Sequence, residues 1–78
     1  MEKFTTSVTI GRADYAGHSV VVIIKPGSGS VLLEIDCGDG SWQVMDNYTS
    51  GANFDLNLGP ADFRFTPTGG AALFVGGV

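Results

Sequence analysis

The side chains able to do chemistry are few in this chain, and their spacing matches no catalytic or metal-binding pattern. His18 is the only histidine and Cys37 the only cysteine. A nucleophile–base pair needs a histidine within hydrogen-bond reach of a serine, cysteine or threonine. No nucleophile elbow surrounds any such residue here. His18 therefore reads as a polar cap at a strand start, and Cys37 as a small buried apolar group. Zinc needs a cluster of Cys and His ligands, which two lone residues do not make. Asp36, Asp39 and Ser41 around Gly38 and Gly40 look like a fragment of a calcium loop. The EF-hand spacing and its bidentate glutamate are missing, and turn chemistry accounts for the Asp and Gly residues. Glu34, Asp36, Asp46, Asp55 and Asp62 would need a cleft holding two carboxyls about 5–9.5 Å apart to hydrolyse a glycoside; they read as solvated faces. No catalytic residue, metal ligand or cofactor is assigned. Trp42 reads as core, and Tyr15 and Tyr48, both placed in loops, are the candidate partner contacts.

The elements that position these residues are strands. Asp39-Gly40 is a strong hairpin signal, because a type I′ turn needs positive φ at both central residues. A turn there sets Cys37 opposite Trp42, Ile35 opposite Val44 and Leu33 opposite Asp46. That register puts Leu33, Ile35, Cys37, Trp42 and Val44 on one apolar face and Glu34, Asp36, Gln43 and Asn47 on the other. Upstream, Phe4, Thr6, Val8 and Ile10 share one face of a first strand. Gly11–Gly17 reads as a loop. His18–Lys25 is a strand whose middle is apolar on both sides, as in a strand covered twice or one whose outer face meets another chain. Downstream, 48–53 reads as a polar loop. Residues 53–58 alternate with Phe54, Leu56 and Leu58 inward. A four-residue turn at 59–62 sets Leu56 opposite Phe65. A Gly69-Gly70 turn sets Phe65 opposite Phe74. This meander gathers Phe54, Leu56, Phe63, Phe65 and Phe74 into one core. Twelve glycines and no sustained helical stripe disfavour helix. The expected fold is all-β: a single domain over 1–78, an antiparallel β-sandwich or flattened barrel of about seven strands with short hairpin turns.

Size and charge narrow the function classes. A chain of 78 residues buries only about 60–65% of its unfolded surface and usually needs an added source of stability. One cysteine cannot form an internal disulfide, which leaves self-association. Charged residues are 15% of the chain, against about 25% in an average soluble domain. The net charge is −4, and Lys3, Arg12, Lys25 and Arg64 are scattered, so no basic patch for nucleic acid exists. Met-Glu-Lys-Phe lacks the basic and apolar regions of a signal peptide. The run Val20–Ile24 is too short to cross a bilayer. Nucleic acid and membrane are not expected partners.

The segments Ser-Val-Leu-Leu-Glu-Ile, Gly-Asp-Gly-Ser-Trp (Gly38–Trp42) and Phe-Arg-Phe-Thr-Pro-Thr-Gly-Gly-Ala (Phe63–Ala71) resemble those of small virion proteins of tailed bacteriophages. The likeness spans about residues 20–75. It implies a structural protein of the capsid decoration (cement) type, or a tail accessory, made in the host cytoplasm and resident in the virion. It also implies a homo-oligomer, trimer or dimer, packed on the major capsid protein, with no active site to carry over. The alternative from another class is a carbohydrate- or ligand-binding sandwich of a tail fibre, which requires two or more exposed aromatics on one face.

Overall fold

A computed structural model gives the conformation of residues 1–77. Among them the chain forms eight strands: β1 (Glu2–Phe4), β2 (Val8–Ile10), β3 (Ser19–Lys25), β4 (Ser30–Asp36), β5 (Trp42–Tyr48), β6 (Ala52–Asn57), β7 (Phe63–Thr68) and β8 (Ala72–Gly77). A single 3₁₀ turn, Arg12–Asp14, follows β2. The strands build two antiparallel four-stranded sheets. Sheet A runs β1-β8-β3-β6 and sheet B runs β2-β7-β4-β5. The expected all-β sandwich is the fold, with one strand more than expected because 4–10 is divided. Phe4 points inward from sheet A, whereas Val8 and Ile10 point inward from sheet B; Thr6 lies exposed in the link.

The connectivity corrects the meander. Only β4 and β5 form a hairpin; every other connection carries the chain from one sheet to the other. The turns at 59–62 and 69–70 therefore do not pair their flanking strands. β7 lies between β2 and β4, and β8 lies between β1 and β3. Phe65 is buried between the sheets at 0% exposure. Phe74 stands on the outward side of sheet A, opposite Ile23 of β3 and Lys3 of β1. Alternation is as clean in a strand that changes sheet as in one that turns back, so the pattern alone did not separate the two. The core is Val20, Val22 and Ile24 of β3, Val31 and Leu33 of β4, Leu56, Leu58, Phe63, Phe65, Leu73 and Val75, with Ile10 and Ala71. Each large apolar side chain so buried contributes roughly 1.5–3 kcal/mol.

The hairpin also departs from expectation. Asp36 pairs with Trp42, and the Cys37 N–H donates to the Ser41 carbonyl at 3.0 Å, so the loop is Gly38-Asp39-Gly40. Both glycines take positive φ, 85° and 91°, where a side chain would be strained. This one-residue shift moves Trp42 to the outward face with Glu34 and Val44, so Trp42 is not core. Cys37 is exposed, not buried. A β-bulge opposite Leu33/Glu34, which leaves Met45 unpaired, restores the expected Leu33–Asp46 pairing.

Candidate functional site

Sheet A places an apolar strip at the middle of its outward face. β3 is all β-branched from Val20 to Ile24, which suits a pleated central strand. Its inward residues are buried and its outward Val21 and Ile23 are half-buried. Beside them on β8 stand Ala72, Phe74 and Gly76, in register with Lys25, Ile23 and Val21. The margins are polar. On β6, Asn53 and Asp55 lie opposite Ile23 and Val21. On β1, Lys3 lies opposite Phe74. The ammonium groups of Lys3 and Lys25 sit 5.9 and 5.3 Å from the Phe74 ring centre. The aliphatic stems of such lysines cover apolar surface while the charged ends stay in water, and the ring's negative face attracts both. An apolar centre inside a polar rim is the anatomy of a protein-docking face.

Sheet B presents a different outward surface. Arg64 of β7 is ion-paired with Glu34 of β4, both contacts at 3.0 Å. Its guanidinium carbon lies 4.3 Å from the Trp42 ring centre, so it covers one side of the indole. Next to this stack, Val44 and Met45 are 50% and 52% exposed. β5 is an edge strand, and two of its main-chain groups are held by its own side chains. Gln43 Nε2 donates to the Val44 carbonyl at 3.3 Å, and the Asn47 N–H donates to Asp46 Oδ1 at 2.8 Å. Together with the bulge, these contacts blunt the edge against strand pairing. What remains accessible there are apolar side chains.

The two tyrosines are not brought together. Tyr48 ends β5 and is not in a loop; its ring stacks on Phe54 of β6 at 5.6 Å, closing one long side of the sandwich. Burial raises its pKa above the usual tyrosine value, and the charge of Asp46 adds to the shift. Tyr15 sits on the opposite long side, in an open cleft of about 360 Å³ between β1 and β2, lined also by Glu2, Phe4, Val8, Ile10 and Asp14. Burial raises its pKa, with Glu2 and Asp14 adding. Each ring packs against the core.

The remaining chemistry-bearing residues serve the backbone. Asp36 Oδ1 accepts from the Gly38 N–H at 2.9 Å, and Asp39 Oδ1 from the Ser41 N–H at 3.0 Å. Hydrogen bonds from Ser41, side chain first, hold the Asp39 carboxyl below its usual pKa. Asp14 Oδ2 accepts from the Gly11 N–H at 2.7 Å. His18, exposed and at φ 55°, donates its N–H to the Tyr15 carbonyl and accepts from the Leu58 N–H. Among the described residues no group of His, Cys, Asp or Glu is placed to hold a metal ion. Two outward aromatics on one face, the requirement for a sugar platform, are not what the fold supplies: Trp42 is on sheet B and Phe74 on sheet A. Phe74 was hidden in the sequence because its place on the outward face depends on β8 joining sheet A. No family model, curated protein or solved structure matches the chain.

Proposed function

We propose that this chain is a structural assembly module of the virion-decoration kind, which acts by covering apolar sheet surface on copies of itself and on the major capsid protein. The observation that carries the reading is that apolar side chains stand outward on both broad faces of a slab whose Cα atoms span only 17 Å in its thin direction. Val21, Ile23 and Phe74 do so on sheet A, and Trp42 and Val44 on sheet B, where the bulge residue Met45 is also exposed. A small domain with little charge and two such faces gains stability by hiding them. The likeness of Gly38–Trp42 and Phe63–Ala71 to small phage virion proteins supplies the virion setting. The test is co-sedimentation of the purified chain with phage capsids assembled without it. Saturable binding, with a gain in capsid melting temperature, supports the role. Recovery of all the chain in the supernatant overturns it.

A further inference from the structure

We infer that the outward face of sheet A is the contact between two copies of this chain, packed face to face about a twofold axis that runs parallel to the strands between β8 and β3. The inference deepens the assembly reading and rests on its claim that this face docks protein. A twofold interface must be self-complementary, because each patch meets its own copy. This face meets that condition. Its centre is apolar, and the axis lays Phe74 over the partner copy's β3 and Ile23 over the partner copy's β8. Its margins carry opposite charge. Lys3 stands on the β1 margin and Asp55 on the β6 margin, one register step apart along the strands. The same axis lays each β1 over the other copy's β6, so Lys3 comes within a lysine's reach of Asp55 twice. An axis perpendicular to the strands would set β1 over β1 and bring Lys3 toward its own copy, so charge selects the parallel axis. Lys25, the last residue of β3 and 5.3 Å from the Phe74 ring centre, comes beside the other copy's own Lys25 about this axis, so its ammonium must turn past the strand ends into water. The whole molecule spans 31 × 28 Å across its broad side, so full coverage of one face sets an upper limit of about 800 Å² per partner, the size of a standard specific interface.

The edge strand β5 is a poorer route to a dimer, since its bulge and its Gln43 and Asp46 contacts already occupy main-chain groups. The cleft at Tyr15 is open and has no feature that selects an occupant.

The test is light scattering and sedimentation equilibrium on the purified chain and four variants, each checked for folding by circular dichroism. The wild-type chain is expected to be a dimer. Lys3→Glu and Asp55→Lys should each weaken dimerisation by about tenfold or more, the scale of one lost close charge contact. The double variant Lys3→Glu/Asp55→Lys should recover to within about threefold of wild type. Ile23→Lys should be a folded monomer. A monomeric wild-type chain, or a double variant as weak as the two singles, overturns the inference. Co-sedimentation with capsids separates this outcome from the assembly reading. A monomer that still binds capsids removes the twofold contact alone, whereas a dimer that does not bind them removes the decoration role alone.

Discussion

Ile23 of β3 stands directly opposite Phe74 of β8, and both side chains point away from the sandwich interior. Two large apolar residues paired at the middle of a sheet would ordinarily be core. Here the core lies on the other side of the same strands, at Val22, Ile24, Leu73 and Val75. The outward pair is held by cross-strand contact and screened by Lys3 and Lys25. That arrangement separates the residues that fold the chain from those that the inferred twofold contact would cover.

The loops 26–29 and 69–71 meet backbone to backbone, and this contact needs glycine. A Cβ at Gly29 would collide with the Thr68 carbonyl oxygen, and Gly69, at φ 64°, would press a Cβ toward the Gly29 Cα. Ser30 and Thr68 hydroxyls join the same strand ends at 3.0 Å. Gly29→Ala is expected to cost about 1–3 kcal/mol, as overpacking does. That lowers the melting temperature by roughly 4–8 °C per kcal/mol in a domain of this size. Gly27→Ala, at φ 59° with open space around it, should cost only the left-handed strain of about 1–2 kcal/mol. Thermal melts of both variants check the order; a Gly29→Ala protein as stable as wild type would show that the loops do not touch.

Arg64 links Glu34 to Trp42, and its two contacts differ in worth. The ion pair joins groups that are 33% and 14% exposed, so solvent screens it to about 0–1 kcal/mol. The stack on the indole adds about 0.5–1 kcal/mol at a partly exposed site. A double-mutant cycle between Arg64→Met and Trp42→Phe should return a coupling of that size. Arg64→Met should also shift Trp42 fluorescence to the red as water reaches the uncovered ring. Arg64→Lys should recover little of the coupling, since an ammonium lacks the planar fork that stacks. A coupling of zero would assign Trp42's position to the sheet alone.

How much of this was legible in the residues follows from what sets each feature. Strand positions were legible from β-branched runs, and the inward set Phe63/Phe65 from alternation, because period 2 is local; Val20–Ile24, apolar on both sides, does not show which of its faces turns inward. The side of sheet B that Trp42 occupies was not legible. It depends on whether Gly38 joins the turn, and a three-residue loop with a compensating bulge at Met45 keeps the outer register while reversing the inner one. Phe74 was misplaced for a different reason. Gly59–Asp62 and Gly69-Gly70 are as suited to crossing between sheets as to turning within one, and only long-range pairing decides between them. Tyr48 reads as a loop residue, because its partner Phe54 is brought to it by that same topology; Tyr15 does lie in a loop, and the cleft it enters is likewise assembled by the sheets.

Both tyrosines carry raised pKa values, chiefly from burial. Their neutral forms are therefore favoured in the folded chain. The stabilisation is complete below the unfolded tyrosine pKa of about 10 and is lost as pH rises through the higher folded values. Melting temperature should fall between about pH 10 and the raised folded values. The fall should be shallower in Tyr15→Phe/Tyr48→Phe. Equal slopes in the two proteins would mean that neither ring is held from water. At the acid end, Asp39 works in the opposite sense: its folded pKa is lowered, so its small contribution is present above about pH 4 and disappears below.

The most direct measurement compares Phe65→Ala with Phe74→Ala by denaturant unfolding, dilute enough for the chain to be monomeric, alongside light scattering at high concentration. Phe65, at 0% exposure between the sheets, should lose about 3–5 kcal/mol. Phe74→Ala should cost about 1 kcal/mol or less, as changes outside the core do, while losing self-association. Equal destabilisation by the two variants, or a Phe74→Ala protein that associates as wild type does, would contradict the assignment of sheet A's outward face to a partner.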